Sequence, residues 1–251
     1  TMAAEVAQRT QLAYLQAPQQ CAGGASVLRL SEFKGAPTVI LDSTIFYPQG
    51  GGQPHDVGAI ANKDNTITWD VVDVRMEGQT VHHIGREPAP FSVGELVELT
   101  VDAPRRSLHR RLHSAGHLLS VASRCLGLPL VEQKGHHFPD GPYVEFQGSV
   151  ADPADTAAML QQKAQELIDR DIVVTGEFAS YEQAQQRCDI CPQYLAEQES
   201  IFVVTIDGFK GHPCGGTHVS RTGEIGKLGV RKVQVKKGVT KIGYTVESAG
   251  G

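Results

Sequence analysis

Residues 102–127 read DAPRRSLHRRLHSAGHLLSVASRCLG, and the character of the chain changes here. Asp102 is a natural N-cap, and Pro104 is tolerated in a first helical turn. Leu108, Leu112, Ala115, Leu119 and Ala122 keep a three-to-four spacing, which predicts one buried stripe on a helix. Gly127 and Pro129 stop it near Leu126. His109, His113 and His117 recur every four residues, one turn apart on one face, close enough to share a metal. The small Gly116 and Ser120 on that face leave room beside the imidazoles.

Upstream, the chain reads as β. Ser26–Leu30, Thr38–Leu41, Thr66–Val74, Thr80–Ile84 and Leu96–Val101 are short apolar or β-branched runs. Gly, Asn, Asp and Pro separate them at roughly ten-residue intervals, which predicts a small barrel or sandwich. Thr1–Gln20 carries a weakly helical stretch. Downstream, Leu130–Lys134, Tyr143–Phe146, Ile172–Phe178 and Ile201–Ile206 read as strands. Asp152-Pro153 opens a helix to about Asp169, and Ser180 with Gln183 forms a capping box. Val230–Val235 and Ile242–Glu247 flank Lys237-Gly238 as a hairpin. The expected class is α+β. A small β-barrel-like domain over residues 1–102 precedes an α+β domain with an antiparallel sheet over residues 103–251.

Composition narrows the function classes. The chain has 251 residues, 40% apolar and 20% charged, enough for one or two domains with a real core. No apolar run approaches the roughly 20 residues that span a bilayer, so no membrane association is expected. Five irregularly spaced cysteines do not make a secreted disulfide framework, and no signal peptide is visible. A reducing, cytoplasmic setting is expected. The formal charge of −5, taken alone, argues against a nucleic-acid partner.

Further residues carry metal-ligand chemistry. In Cys214-Gly-Gly-Thr-His218, thiolate and imidazole are both good zinc ligands, and two glycines suit a loop that folds them toward one point. With the helix histidines this makes a three-His, one-Cys set, in which spacing alone lets His109 replace a helix ligand. A purely structural zinc site, or no metal, is the plain alternative. Cys188 and Cys191 also have zinc spacing but lack a matching second pair, and read as ordinary thiols at a helix end. His82-His83 and His136-His137 are adjacent pairs whose side chains point to opposite faces, so each is expected half buried and half exposed. The stretch from Phe46 to Gly58, FYPQGGGQPHDVG, places Gly50, Gly51 and Gly52 before Gln53. Such glycines admit a ligand or another backbone, or form a bulge.

Phe46–Gly58, His113-Ser-Ala-Gly-His117 and Cys214-Gly-Gly-Thr-His218 followed by Arg221-Thr-Gly-Glu-Ile-Gly226 occur in this order. Over about residues 38–246 the chain resembles the editing domain of alanyl-tRNA synthetase and its free-standing AlaX relatives, most nearly the medium type with an N-terminal β domain. No stretch resembles an aminoacylation domain, so a complete synthetase is not expected. The resemblance implies a zinc-containing editing domain and trans-editing: hydrolysis of mischarged tRNA(Ala), chiefly Ser-tRNA(Ala), with Gly-tRNA(Ala) a second substrate. It implies Zn2+ held by His113, His117, Cys214 and His218, with His109 outside. It places Gly50, Gly51, Gly52 and Gln53 along the substrate pocket. Thr44, Gln53 and Thr217 are candidates for pairing with the serine hydroxyl. No catalytic side chain is evident; a zinc-bound water is the expected nucleophile, and a zinc that anchors the substrate's amino group is the alternative. The rival readings are a non-catalytic zinc-stabilised tRNA-binding module and a hydrolase of threonyl-type specificity.

The net charge hides a segregated distribution. Arg105, Arg106, Arg110 and Arg111 cluster at the helix start, and Arg231, Lys232, Lys236 and Lys237 follow the Cys-His loop. Arg105, Arg110, Arg231, Lys232, Lys236 and Lys237 are the expected tRNA contacts.

Overall fold

Among the described residues, nine strands build the first part of the chain. They are β1 (Gln11–Leu12), β2 (Ala22–Phe33), β3 (Ala36–Leu41), β4 (Ser43–Thr44), β5 (Gly58–Asn62), β6 (Thr68–Val71), β7 (Asp73–Glu77), β8 (Thr80–Ile84) and β9 (Leu96–Val101). The structure is a computed structural model that describes residues 9–247. The expected weak helix over Thr1–Gln20 lies outside the described residues up to residue 8; beyond it stand β1 and a 3-10 turn at Ala13–Leu15.

Alternation makes these strands. In β9, Val97, Leu99 and Val101 are buried while Leu96, Glu98 and Thr100 face solvent. That is the pattern of a sheet with one face on a core. Seven strands form one antiparallel sheet in the order β6–β5–β9–β2–β3–β8–β7. The twelve-residue β2 changes partner along its length: Ala22–Ser26 pair with β9, and Val27–Phe33 with β3. The sheet folds round a core of Val27, Val39, Leu41, Phe46, Ile60, Trp69, Val97 and Leu99.

The expected small barrel is not closed. The outermost strands β6 and β7 are consecutive in the chain yet unpaired with each other. Only Val72 lies between them, and its N–H donates to Ile84 O (2.9 Å). One residue is too short for a hairpin loop, which needs at least two, so the seam stays open. The adjacent pair in β8 also departs from expectation, because both rings are buried. His83 enters the core, and the ring of Phe33 covers His82 at 4.6 Å between centroids.

The second part comprises α1 (Ala103–Cys125), β10 (Val131–His136), β11 (Tyr143–Gln147), α2 (Pro153–Asp169), β12 (Val174–Ala179), α3 (Tyr181–Arg187), β13 (Ile201–Ile206), β14 (His212–Pro213), β15 (Lys227–Lys236) and β16 (Val239–Glu247). The Asp102 carboxylate caps α1 by accepting from Arg105 N (2.9 Å). One antiparallel sheet runs β10–β11–β16–β15 and another β12–β13–β14. Leu112, Leu118 and Leu119 of α1 share a core with Leu160 and Leu167 of α2 and with Val144, Phe146 and Ile242 of the larger sheet. The class is α+β with antiparallel sheets.

The chain divides into two compact units. The first runs through Gly50 and resumes over Pro54–Ser107; the second takes Gly51–Gln53 and everything from Leu108. Within the first unit, Arg106 and Asp56 form a buried ion pair at 1% and 0% side-chain exposure. The Arg106 guanidinium also donates to Ile45 O (2.5 Å) and Pro18 O (2.9 Å). Tyr47 N donates to the same carboxylate (2.6 Å), so both charges are fully engaged.

Candidate metal centre

His113 and His117 lie one turn apart on α1, and Cys214 and His218 sit on the loop after β14. All four belong to the second unit. Their ligand atoms lie within 4.8 Å of one another. Cys214 Sγ is 3.5 Å from His113 Nε2 and 3.4 Å from His218 Nε2. Tetrahedral zinc, with bonds of about 2.3 Å to sulfur and 2.05 Å to nitrogen, separates such atoms by about 3.6 Å. The donor set therefore fits a tetrahedral soft divalent ion. His109 is not among the four.

Hydrogen bonding fixes which nitrogen of His113 faces the centre. Thr217 N–H can only donate, and it lies 3.0 Å from Gln53 Oε1. The same oxygen is 2.8 Å from His113 Nδ1, so Nδ1 carries the proton and Nε2 offers its lone pair. The other end of the amide donates, from Nε2 to Thr217 Oγ1 (2.9 Å). Ser114 Oγ plays a similar part 3.1 Å from His218 Nδ1, and itself accepts from Val219 N. His117 Nδ1 is buried with no hydrogen-bond partner among the described residues, so it too is open to a ligand.

Two glycines make this approach possible. A Cβ on Gly216 would stand 2.1 Å from His113 Cε1 and 3.1 Å from Gln53 Oε1. Gly52 has φ +76°, and a Cβ there would stand 2.2 Å from the Gly135 carbonyl oxygen. Its own carbonyl accepts from His137 N (2.8 Å), which seats the Gly51–Gln53 tripeptide beside β10.

Electrostatics also suit a cation. Burial, helped by neighbouring imidazoles, holds His113 and His117 well below the usual histidine range and His218 at about 3. All three are neutral near pH 7, as ligands must be. Burial pushes the Cys214 thiol up to about 12, against the pull of the Gly216 N–H 3.4 Å from Sγ. A bound cation reverses that balance and deprotonates the thiol.

Sequence reasoning left His137, Tyr244, His212 and Glu132 out of the site. His137 stacks on His113 with centroids 4.3 Å apart. The Tyr244 hydroxyl donates to Leu112 O (2.9 Å) and so accepts from His137 Nδ1 (2.6 Å). His212 packs edge-on against His117 at 4.5 Å, with its Nε2 3.0 Å from the Glu132 carboxylate. Its position two residues before Cys214 was the available signal. Cys188 and Cys191 are free thiols at the end of α3, outside the cluster.

The remaining candidates lie as follows. Gln53 and Thr217 are fully buried beside the ligands, and Gly51 and Gly52 lead into them. Gly50 and Thr44 belong to the first unit, where Gly50 O accepts from Tyr47 OH (2.8 Å). The Thr44 hydroxyl is held by His83 Nε2 (2.7 Å) and accepts from Phe46 N (3.0 Å). Of the arginines, Arg110 is buried and its Nε donates to His218 O (2.7 Å). Arg105 is half-buried, with Nε 3.3 Å from His55 O. Arg231 is exposed but donates to Tyr244 O and Pro142 O (2.9 and 3.1 Å). Lys232, Lys236 and Lys237 are exposed.

Comparison with known proteins bears on this geometry. Residues 18–105 match a family model described as "tRNA synthetases class II (A)". Residues 201–242, which include Cys214 and His218, match "Threonyl and Alanyl tRNA synthetase second additional domain". The chain is 30% identical over 245 residues to the alanine–tRNA ligase of Methanopyrus kandleri, covering 96% of this chain and 26% of that protein. It is 32% identical over 231 residues to that of Halorubrum lacusprofundi, covering 90% and 24%. The chain belongs to the family of the alanyl-tRNA synthetase editing region and its AlaX relatives. It spans about a quarter of the length of the curated relatives it matches. Among the described residues, no helix is long and apolar enough to cross a membrane.

Proposed function

We propose that this protein is a trans-editing aminoacyl-tRNA deacylase that hydrolyses the ester of mischarged tRNA(Ala), chiefly Ser-tRNA(Ala), at a Zn2+ centre, with Gly-tRNA(Ala) a second substrate. The observation that carries this reading is the His113, His117, Cys214 and His218 cluster, with Gln53 and Thr217 bonded into it. Those two polar groups suit serine better than alanine. Thr217 Oγ1 accepts from Gln53 and keeps its own proton to donate. In a fully buried setting, a hydroxyl on the substrate satisfies that donor and a methyl group leaves it unpaired.

When bound, Zn2+ supplies a positive charge that polarises the groups placed on it. The chain's residues do the rest. Gln53 holds the tautomer and ring plane of His113, Ser114 orients His218, and His137 walls the centre against His113. Lys232, Lys236 and Lys237 bring positive charge to the RNA, and Arg231 extends it; Arg105 of the first unit is a separate contact. The four-donor set also favours a second reading, a zinc-stabilised tRNA-binding module without turnover, because four protein ligands close a tetrahedral site.

Deacylation of Ser-tRNA(Ala), Gly-tRNA(Ala) and Ala-tRNA(Ala), with Ser-tRNA(Thr) as the threonyl-type control, tests the reading. Zinc-dependent hydrolysis faster for the serine ester on tRNA(Ala) is expected. An equal rate for the alanine ester, or none for any ester by the zinc-loaded protein, overturns it. Turnover by the parent with a melting transition retained in Cys214→Ala favours the enzyme over the structural module.

A further inference from the structure

The outward face of the larger sheet carries rings beside Lys232 and Lys236, and no role above uses the rings. Cross-strand neighbours in an antiparallel sheet project to the same side. His136, Tyr143, Gly243 and Lys232 occupy one row across β10, β11, β16 and β15, and Lys134, Glu145, Lys241 and Gln234 occupy another on the same side. Lys236 follows four residues after Lys232 on that side. The opposite side bears the core residues Val144, Phe146 and Ile242. The outward face thus holds five lysines, Lys134, Lys227, Lys232, Lys236 and Lys241, against Glu145 and Glu247, in a chain of net charge −5. Lys134, Lys232 and Lys236 are exposed.

Three rings stack along this face. His136 lies between Phe138 (4.6 Å, 11° between planes) and Tyr143 (4.9 Å, 25°). Lys241 Nζ caps the Tyr143 ring 3.2 Å from its centroid. That end of the column is closed. At the other end, no second ring packs on Phe138 among the described residues, and Phe138 is only half-buried. His136 adjoins His137, whose ring stacks inward on His113. One peptide bond therefore separates the column from the wall of the candidate metal centre.

We propose that Phe138 is a stacking platform for an unpaired base near the 3′ end of an RNA, and that Lys134, Lys232 and Lys236 guide the phosphates that follow. This rests on the tRNA reading above and adds a binding site to it. A flat π-face takes any base, and the surrounding cations match a polyanion.

The test uses the full chain and a short single-stranded RNA that carries no amino acid and whose 3′-terminal base is 2-aminopurine, read by fluorescence quenching and titration. The parent should quench the probe. Phe138→Ala should restore emission and weaken binding about 5- to 100-fold, which is about 1–3 kcal/mol at 1.4 kcal/mol per tenfold, with an unchanged salt slope. Phe138→Leu, which keeps an apolar side chain, should do the same and guards against a folding defect. Lys232→Gln with Lys236→Gln should keep the quench at saturation and flatten the salt slope by about 1.4, from about 0.7 per phosphate contact. Parental quench and affinity in both Phe138 variants overturn the proposal. So does a parent that fails to bind the oligonucleotide, the outcome if this face serves a protein partner. The two readings fail separately: quenching without deacylation leaves the platform standing, and deacylation with intact binding in Phe138→Ala removes only the platform.

Discussion

Gln53 is the residue on which the candidate centre turns, and Gln53→Ala tests that directly. The truncation removes three hydrogen bonds from a fully buried position: those from His113 Nδ1 and Thr217 N, and that to Thr217 Oγ1. Two buried N–H donors are left without an acceptor, at about 1–3 kcal/mol each, so the second unit should lose about 2–6 kcal/mol. His113 also loses the group that fixes its tautomer. Losing such an outer partner costs about 10- to 100-fold in metal affinity. Competition for Zn2+ against a chromophoric chelator reads the affinity, and the visible bands of the Co2+ form report the ligand geometry. Gln53→Glu keeps an acceptor for both N–H groups, so its affinity should stay within about tenfold of the parent. Parental zinc affinity and an unchanged Co2+ spectrum in Gln53→Ala would refute the reasoning.

Other perturbations reach separate parts of the molecule. Gly216→Ala drives a methyl into the His113 ring, so elemental analysis should find the protein without stoichiometric zinc; retained zinc would show that the loop can move aside. Asp56→Asn leaves the buried Arg106 without its counter-charge and should cost about 3–5 kcal/mol in urea denaturation of the first unit. Burial holds His83 at about 4 against an unfolded value of 6.5. The unfolded chain therefore binds more protons between those values, and stability falls as pH drops from 6.5 towards 4, by about 3 kcal/mol in all. Urea titrations at stepped pH should show this slope and its loss in His83→Gln; an unchanged slope in that variant assigns the effect elsewhere.

The long helix was legible because its signals are local. Asp102 caps it, and its apolar spacing is seen within one stretch of chain. The Lys237-Gly238 hairpin was legible for the same reason, since both residues take positive φ (51° and 75°) as a tight turn requires. Spacing and residue type singled out His109, His113, His117, Cys214 and His218, the resemblance narrowed them to four, and their convergence could be seen only in three dimensions. Long-range pairing was hidden. Nothing near Gln53 announces that its amide will meet His113, sixty residues on. An arginine run also reads alike whether it faces solvent or the interior. Arg106 and Arg110 turn inward because Asp56 and the His218 carbonyl wait for them. The open seam between β6 and β7 depends on a single residue, Val72, within a run that otherwise reads as one strand.

The Gly51–Gln53 tripeptide has a consequence in time. Gln53 and Thr217 are 164 residues apart in the chain. At about 5–20 residues per second, the ribosome makes Gln53 roughly 8–30 s before Thr217 exists. Throughout that interval the first strands can pair, but the second unit lacks the partner of its central amide. Its assembly therefore waits for the Cys214–His218 loop, and a chain released before that loop is made carries the tripeptide without the partner it was shaped to receive.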